Sequence, residues 1–150
     1  MFFESDYKVL TNEKIAKDVY KMELEGDTSH ITAPGQFINI KLEGKFLRRP
    51  ISVCDCNENV ITIIYKVVGE GTEQMSNISV GEILNILTGL GNGYDISKSA
   101  KPLLIGGVSV FRQCIILPKS LLKAGKNLPL YLALILKMKF FMKMNLRHLE

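Results

Sequence analysis

The chain has 150 residues, of which 47% are hydrophobic and 23% are charged. This size and composition are typical of one globular domain, or one and a half, and exclude disordered, collagen-like and low-complexity proteins. No uncharged apolar run reaches the 18 residues of a membrane-spanning helix, and the start MFFESDYKVL has acids where a signal peptide has basic and then apolar residues. We therefore expect a cytoplasmic protein that does not bind membranes.

Charge is unevenly distributed along the chain. Residues 1–100 contain 10 Lys or Arg and 14 Asp or Glu, whereas residues 101–150 contain 9 Lys or Arg and a single acid, Glu150. A basic segment like this is typical of proteins that bind nucleic acid or anionic membranes. We interpret it differently and expect no nucleic-acid partner.

Six short apolar runs separated by turn residues predict β-strands in the first hundred residues. Their number and spacing predict a mainly β fold, a six-stranded antiparallel barrel. A short helix opening at Gly71 and Thr72 should follow the fifth strand, with Thr72 as its N-cap and Glu73 in its first turn. The predicted strands are Tyr7–Thr11, Val19–Leu24, Phe37–Lys41, Pro50–Asp55, Val60–Val67 and Ile83–Thr88.

The pattern changes after residue 100. PLLIGG at residues 102–107 is typical of a buried strand running into a glycine turn, as in a nucleotide-binding α/β unit. A helix should follow and end before Gly125. We predict a barrel domain over residues 1–98 and an incomplete Rossmann-like α/β segment over residues 99–150.

Polar residues at the strand ends and the helix start suit a flavin dinucleotide. The planar guanidinium of Arg49 can neutralise a pyrophosphate and donate two parallel hydrogen bonds to its oxygens. Backbone amides at Gly71 and Thr72 suit phosphate, and Gly71 allows close approach of the backbone. Ser52 can hydrogen-bond the edge of the isoalloxazine ring, and Tyr65 can stack on it or contact the ribityl chain.

The ordered set of these motifs resembles the ferredoxin-reductase-type flavoproteins. The resemblance rests on LRRPISVCDCNENVITIIYKVVGEGTEQMS, LTGLGNGYDI and PLLIGG, and it is greatest to the electron transfer subunits of two-subunit, NAD-dependent (class 1B) dihydroorotate dehydrogenases. It implies that one group of residues contacts FAD. The group comprises Arg49, Pro50, Ile51, Ser52, Ile64, Tyr65, Lys66, Gly71 and Thr72.

The resemblance also implies a function. Electrons would pass from a dihydroorotate-oxidising catalytic subunit through FAD and a [2Fe–2S] cluster to NAD, in pyrimidine biosynthesis and within a heterotetramer. It assigns no catalytic side chain and no metal ligand in this chain. The cluster of the family needs four cysteines, whereas this chain has only Cys54, Cys56 and Cys114. We interpret Cys54 and Cys56 as small apolar residues of the barrel.

The C-terminal third departs from the family in a way that a change of reading frame explains. Codons for Val110–Lys119 can be chosen so that another frame encodes GVPPMYNLAK, as the family would have, and residues 128–150 can be treated similarly. We therefore expect residues from about Ser109 to Lys119, and from Leu128 onward, to be out-of-frame translation. The chain would then be truncated, with an incomplete NAD site, and not competent alone as an oxidoreductase.

Two alternatives remain open from the sequence. One is another ferredoxin or NAD(P) reductase subunit built on the same barrel. The other is a small β-barrel binding module whose basic tail contacts nucleic acid or an anionic membrane. The isolated His30 and His148 indicate no catalytic role.

Overall fold

Six antiparallel strands form a closed barrel in the computed structural model, which describes residues 2–98 and 116–125. Their order around the barrel is β1-β2-β5-β4-β3-β6. The predicted barrel is confirmed, and every predicted strand overlaps an observed one. The strands are β1 (Phe3–Ala16), β2 (Val19–Glu25), β3 (Phe37–Ile40), β4 (Arg49–Asn57), β5 (Val60–Lys66) and β6 (Ile83–Leu90).

β1 is much longer than the predicted Tyr7–Thr11 because its first part pairs with one strand and its second part pairs with another. Residues 3–8 pair with β6, and residues 8–16 pair with β2. Register shifts between Val9 and Thr11 and between Lys14 and Ala16 mark irregularities of the kind that bend a strand. Such bends let one strand contribute to both sides of a small closed barrel.

Alternate side chains of the strands fill the barrel interior, as a period of two requires. Their burial removes apolar surface from water, which is the main favourable term in folding. Cys54 is fully buried and Cys56 packs against the core, in the apolar role that the sequence predicts. The fully buried core side chains include Tyr7, Val9, Met22, Leu24, Ile38, Ile40, Ile61, Ile63, Met75 and Ile86.

A short helix, α1 (Glu70–Ser76), crosses one end of the barrel. β5 and β6 are not neighbours in the strand order, so the chain between them passes over the barrel mouth. Met75 of α1 is fully buried within the core cluster, and Gly71 is also buried. The helix therefore closes this end of the barrel.

The predicted N-cap of α1 is wrong, since the N-cap is Gly69 and Thr72 is the third helical residue. The Thr72 hydroxyl reaches back and accepts the backbone N–H groups of Val68 (2.9 Å) and Gly69 (3.2 Å). An N3 side chain that bonds the N-cap backbone forms half of a capping box. Glu73 lies in the first turn, as predicted.

A second helix, α2 (Ile116–Lys123), lies against β4. Leu121 is buried, and Lys119 forms an ion pair with Asp55. The Gly125 N–H donates to the Leu122 carbonyl (2.9 Å) with a φ of 69° at Gly125, so the helix ends where predicted. Neither described helix has the length and apolar character needed to cross a membrane.

Several predictions concern residues outside the described ranges. They include the Rossmann-like strand at 102–107, Cys114, the basic tail and most of both stretches interpreted as out of frame.

Candidate cofactor site

β4 and β5 separate at the end of the barrel that α1 closes. Their pairing runs from Asn57 opposite Val60 to Val53 opposite Ile63 and goes no further within residues 2–98. Beyond that point β4 pairs with β3, and β5 pairs with β2. The main chains of the two strand ends therefore face each other without a shared ladder.

The residues predicted to contact FAD lie around this separation. Four occupy the start of β4, and three occupy the end of β5, where the two strands do not pair with each other. The remaining two lie in the first turn of α1. The structure thus brings to one end of the barrel three segments that are separated in the sequence, namely residues 49–52, 64–66 and 71–72.

The Arg49 side chain lies against the backbone of α1 at Gly71. A Cβ atom built on Gly71 would be 1.9 Å from Arg49 Nε and 2.6 Å from both Cζ and Nη2. No side chain fits there while the guanidinium is in place, so glycine at position 71 leaves the space that the guanidinium fills. Arg49 and Gly71, chosen independently from the sequence, are in direct contact.

Most of the Arg49 hydrogen-bonding capacity is unused. Its Nη1 donates to the Leu47 carbonyl (2.7 Å), and among the described residues its guanidinium has no other acceptor. A guanidinium carries five N–H donors in a fork that matches phosphate oxygens. Arg49 is thus held in place by one bond and retains donors for an anion.

The neighbouring Arg48 uses its guanidinium for hydrogen bonds to other strands of the barrel. Its Nη1 donates to the carbonyls of Asn39 (3.4 Å) and Asn85 (3.2 Å). Its Nη2 donates to Asn85 Oδ1 (2.6 Å) and Glu4 Oε1 (2.7 Å). Two adjacent arginines therefore have different roles, and only Arg49 has donors to spare for a ligand.

The other three β4 positions differ in exposure. Pro50 is exposed, Ser52 is partly exposed, and Ile51 packs against the core. Proline is tolerated here because this part of β4 has β3 as its only strand partner. The Ser52 hydroxyl has no hydrogen-bond partner within the described ranges, so it is available to a ligand.

On β5, the Tyr65 side chain points into the barrel, whereas Ile64 is partly exposed and Lys66 is exposed. The Tyr65 ring lies next to that of Tyr20, with centroids 5.7 Å apart, and its hydroxyl donates to Asn12 Oδ1 (2.9 Å). Burial raises the pKa of the Tyr65 hydroxyl, and the bond to Asn12 partly opposes the rise. The structure therefore places this ring in the barrel interior.

Two residues near the site were not singled out from the sequence. Lys45 Nζ lies 2.6 Å from Glu70 Oε2, which joins the β3–β4 loop to α1 and lowers the pKa of Glu70. Asn12 contacts both Tyr65 and the end of α1. The only sequence signal for Asn12 is a side chain of low strand propensity inside a strand. The part of the chain that the structure describes contains no group of three or more His, Cys, Asp or Glu able to hold a metal ion.

Comparison with curated proteins gives a consistent set of relatives, although no family model matches the chain. The chain is 45% identical over 111 residues to the dihydroorotate dehydrogenase B (NAD(+)) electron transfer subunit of Fusobacterium nucleatum, covering 68% of this chain and 43% of the relative. It is 41% identical over 138 residues to the subunit of Caldanaerobacter subterraneus, covering 90% and 53%.

The chain is a homologue of these electron transfer subunits. It spans about half the length of the curated relatives it matches. Among solved structures, it is similar to an NADH-dependent reduced ferredoxin-NADP oxidoreductase, with a TM-score of 0.77, 29% identity, and coverage of 87% of this chain and 49% of the other. The ferredoxin-reductase-type barrel expected for such a homologue is confirmed.

Proposed function

We propose that this homologue of the dihydroorotate dehydrogenase B electron transfer subunits binds FAD between its splayed β4 and β5 ends and transfers electrons through it. The observation that carries the proposal is the contact between Arg49 and Gly71, which holds a guanidinium with free donors beside the opening. When bound, FAD exchanges a hydride with a nicotinamide and passes electrons singly to another carrier.

The residues at the opening fit the parts of FAD. Arg49 supplies the positive fork for the pyrophosphate, and Gly71 lets the main chain approach it. Ser52 lies three residues further along β4, about 10 Å away in an extended strand, where its hydroxyl can bond the isoalloxazine edge. Pro50, Ile51, Ile64, Lys66 and Thr72 border the same opening, whereas Tyr65 supports it from inside.

The rest of the electron path is proposed from the relatives. These relatives are electron transfer subunits of dihydroorotate dehydrogenase B (NAD(+)), so we propose a catalytic dihydroorotate dehydrogenase subunit as partner, in a cytoplasmic heterotetramer. A [2Fe–2S] cluster does not fit this chain, which has three cysteines where four are required. No step through a cluster is assigned to it.

FAD titration of the full chain tests the proposal. Wild-type protein should quench the fluorescence of FAD as it binds, and Arg49→Ala should weaken binding by about 10- to 150-fold, the equivalent of losing a charged hydrogen bond of about 1.5–3 kcal/mol. Riboflavin lacks phosphates, so its weaker binding should be unaffected by Arg49→Ala. The exposed Lys8 provides a matched loss of charge, and Lys8→Ala should leave FAD affinity unchanged. Equal FAD affinity of wild type and Arg49→Ala would refute the proposed site.

A further inference from the structure

We infer that Asn12 is a positioning residue for the proposed FAD site, because its amide fixes α1 and thereby the Arg49–Gly71 contact. The inference rests on the proposed function but concerns a residue that lies outside the opening. Asn12 is on β1, and its side chain links three elements that meet at the closed end of the barrel.

The Asn12 side chain uses both ends of its amide. Nδ2 donates to the carbonyls of Met75 (2.9 Å) and Ile78 (3.0 Å), and Oδ1 accepts the hydroxyl of Tyr65 (2.9 Å). The last carbonyls of a helix have no partner within the helix. Asn12 therefore adds a donor to the Met75 carbonyl in the last turn of α1, which also accepts the Ile78 N–H (3.2 Å), and to the Ile78 carbonyl just beyond the helix, and it ties both to the barrel wall.

Gly71 and Met75 are four residues apart, so they lie on one face of α1. Both are buried, which identifies this as the inner face. Asn12 holds this face near its end through the Met75 carbonyl, and Arg49 packs on it near its start at Gly71. A helix of seven residues has little stability of its own and depends on its tertiary contacts. Loss of the Asn12 contact at Met75 should therefore displace Gly71 relative to Arg49.

Two substitutions separate the links that Asn12 makes. Asn12→Asp keeps an acceptor for Tyr65 but removes the donor to Met75 and Ile78 and places negative charge against their carbonyls. Tyr65→Phe does the reverse, since it removes the hydroxyl and leaves the amide on the helix. If the attachment of α1 depends on the Asn12 amide, Asn12→Asp should speed hydrogen exchange in α1 and Tyr65→Phe should not.

The test combines FAD titration with hydrogen exchange of residues 70–78 in the full chain. Asn12→Asp should weaken FAD binding about tenfold or more and speed exchange in α1, whereas Tyr65→Phe should leave exchange in α1 unchanged. Ile61→Val removes a methyl group from the core of β5, and it controls for general destabilisation. It should lower the unfolding midpoint without altering exchange in α1 or FAD affinity.

The outcomes distinguish this inference from the function on which it rests. If wild type binds FAD and Asn12→Asp binds it equally well, or if Ile61→Val weakens binding as much for the same loss of midpoint, the positioning role is wrong. If wild type does not bind FAD at all, the proposed function fails and the inference falls with it.

Discussion

The guanidinium of Arg49 occupies the space that a side chain at Gly71 would need. The distance of 1.9 Å between Arg49 Nε and a Cβ built on Gly71 is far shorter than any real contact. The two residues are 22 positions apart in the chain, and they meet because α1 crosses the barrel mouth above the start of β4.

Gly71→Ala should weaken FAD binding about tenfold or more without unfolding the protein. The new methyl group meets the flexible end of Arg49, which can move aside, and alanine favours a helix over glycine by about 1 kcal/mol. Stability should therefore stay constant or rise by up to about 1 kcal/mol, as measured by urea unfolding. Gly69→Ala is the matched control, because a Cβ there meets nothing within 4 Å and its backbone is extended. Equal effects of the two substitutions on FAD affinity would contradict the proposal that packing of Arg49 on Gly71 orients it for FAD.

Arg48→Ala should lower the stability of the protein but not its FAD affinity, whereas Arg49→Ala should lower the FAD affinity. Removing Arg48 takes one donor from each of Asn39, Asn85 and Glu4, and we expect a loss of about 1–3 kcal/mol in the free energy of unfolding. Because Arg48 is committed to the barrel wall, FAD affinity of the folded protein should change little. Chemical unfolding and FAD titration of both variants check this, and a large loss of FAD affinity in a stable Arg48→Ala protein would reverse the assignment.

Tyr65 should make the barrel sensitive to alkaline pH. Burial raises the pKa of its hydroxyl above the usual value near 10, so the unfolded chain loses this proton first as pH rises. The stability contributed by the neutral hydroxyl is complete below about pH 10 and is lost as pH rises above it.

Urea midpoints of wild type and Tyr65→Phe between pH 8 and pH 11 test this expectation. At pH 8 the variant should be less stable by about 1 kcal/mol, the value of one hydrogen bond, and the difference should shrink as pH approaches 11. Burial also raises the pKa of Tyr7, but this residue is common to both proteins. A difference that stays constant with pH would show that Tyr65 does not titrate in this way.

The coding DNA should reveal a second reading frame. If residues from about Ser109 to Lys119 and from Leu128 onward are out of frame, resequencing from the codon for Ile105 should show an alternative frame with an αβ pattern and acidic residues. Stop codons throughout the other frames would establish the basic tail as genuine sequence. Salt-dependent binding of the tail to nucleic acid or anionic vesicles would then become the experiment to perform.

The six strands and the core were predictable because the residue pattern that specifies each strand lies within that strand. Alternation of apolar and polar residues, as in Ile61, Ile63 and Tyr65, specifies a face of a strand from neighbouring residues alone. The same alternation indicates that Tyr65 faces inward with Ile61 and Ile63, although its chemistry favoured a ligand contact. The order of motifs also selected the three segments that the barrel brings to one end, because each motif is contiguous in the chain.

What only the tertiary structure decided is which side chains of those segments work together. Arg48 and Arg49 are identical in type and adjacent in sequence, yet one is bonded to three strands and the other rests on α1. Asn12 acquires its role from Met75 and Ile78, more than sixty residues away. Such contacts depend on how the barrel closes and where α1 crosses it. The sequence by itself determined a six-stranded β-barrel, and the fold decided that Arg49 and Asn12 both contact α1 at its mouth.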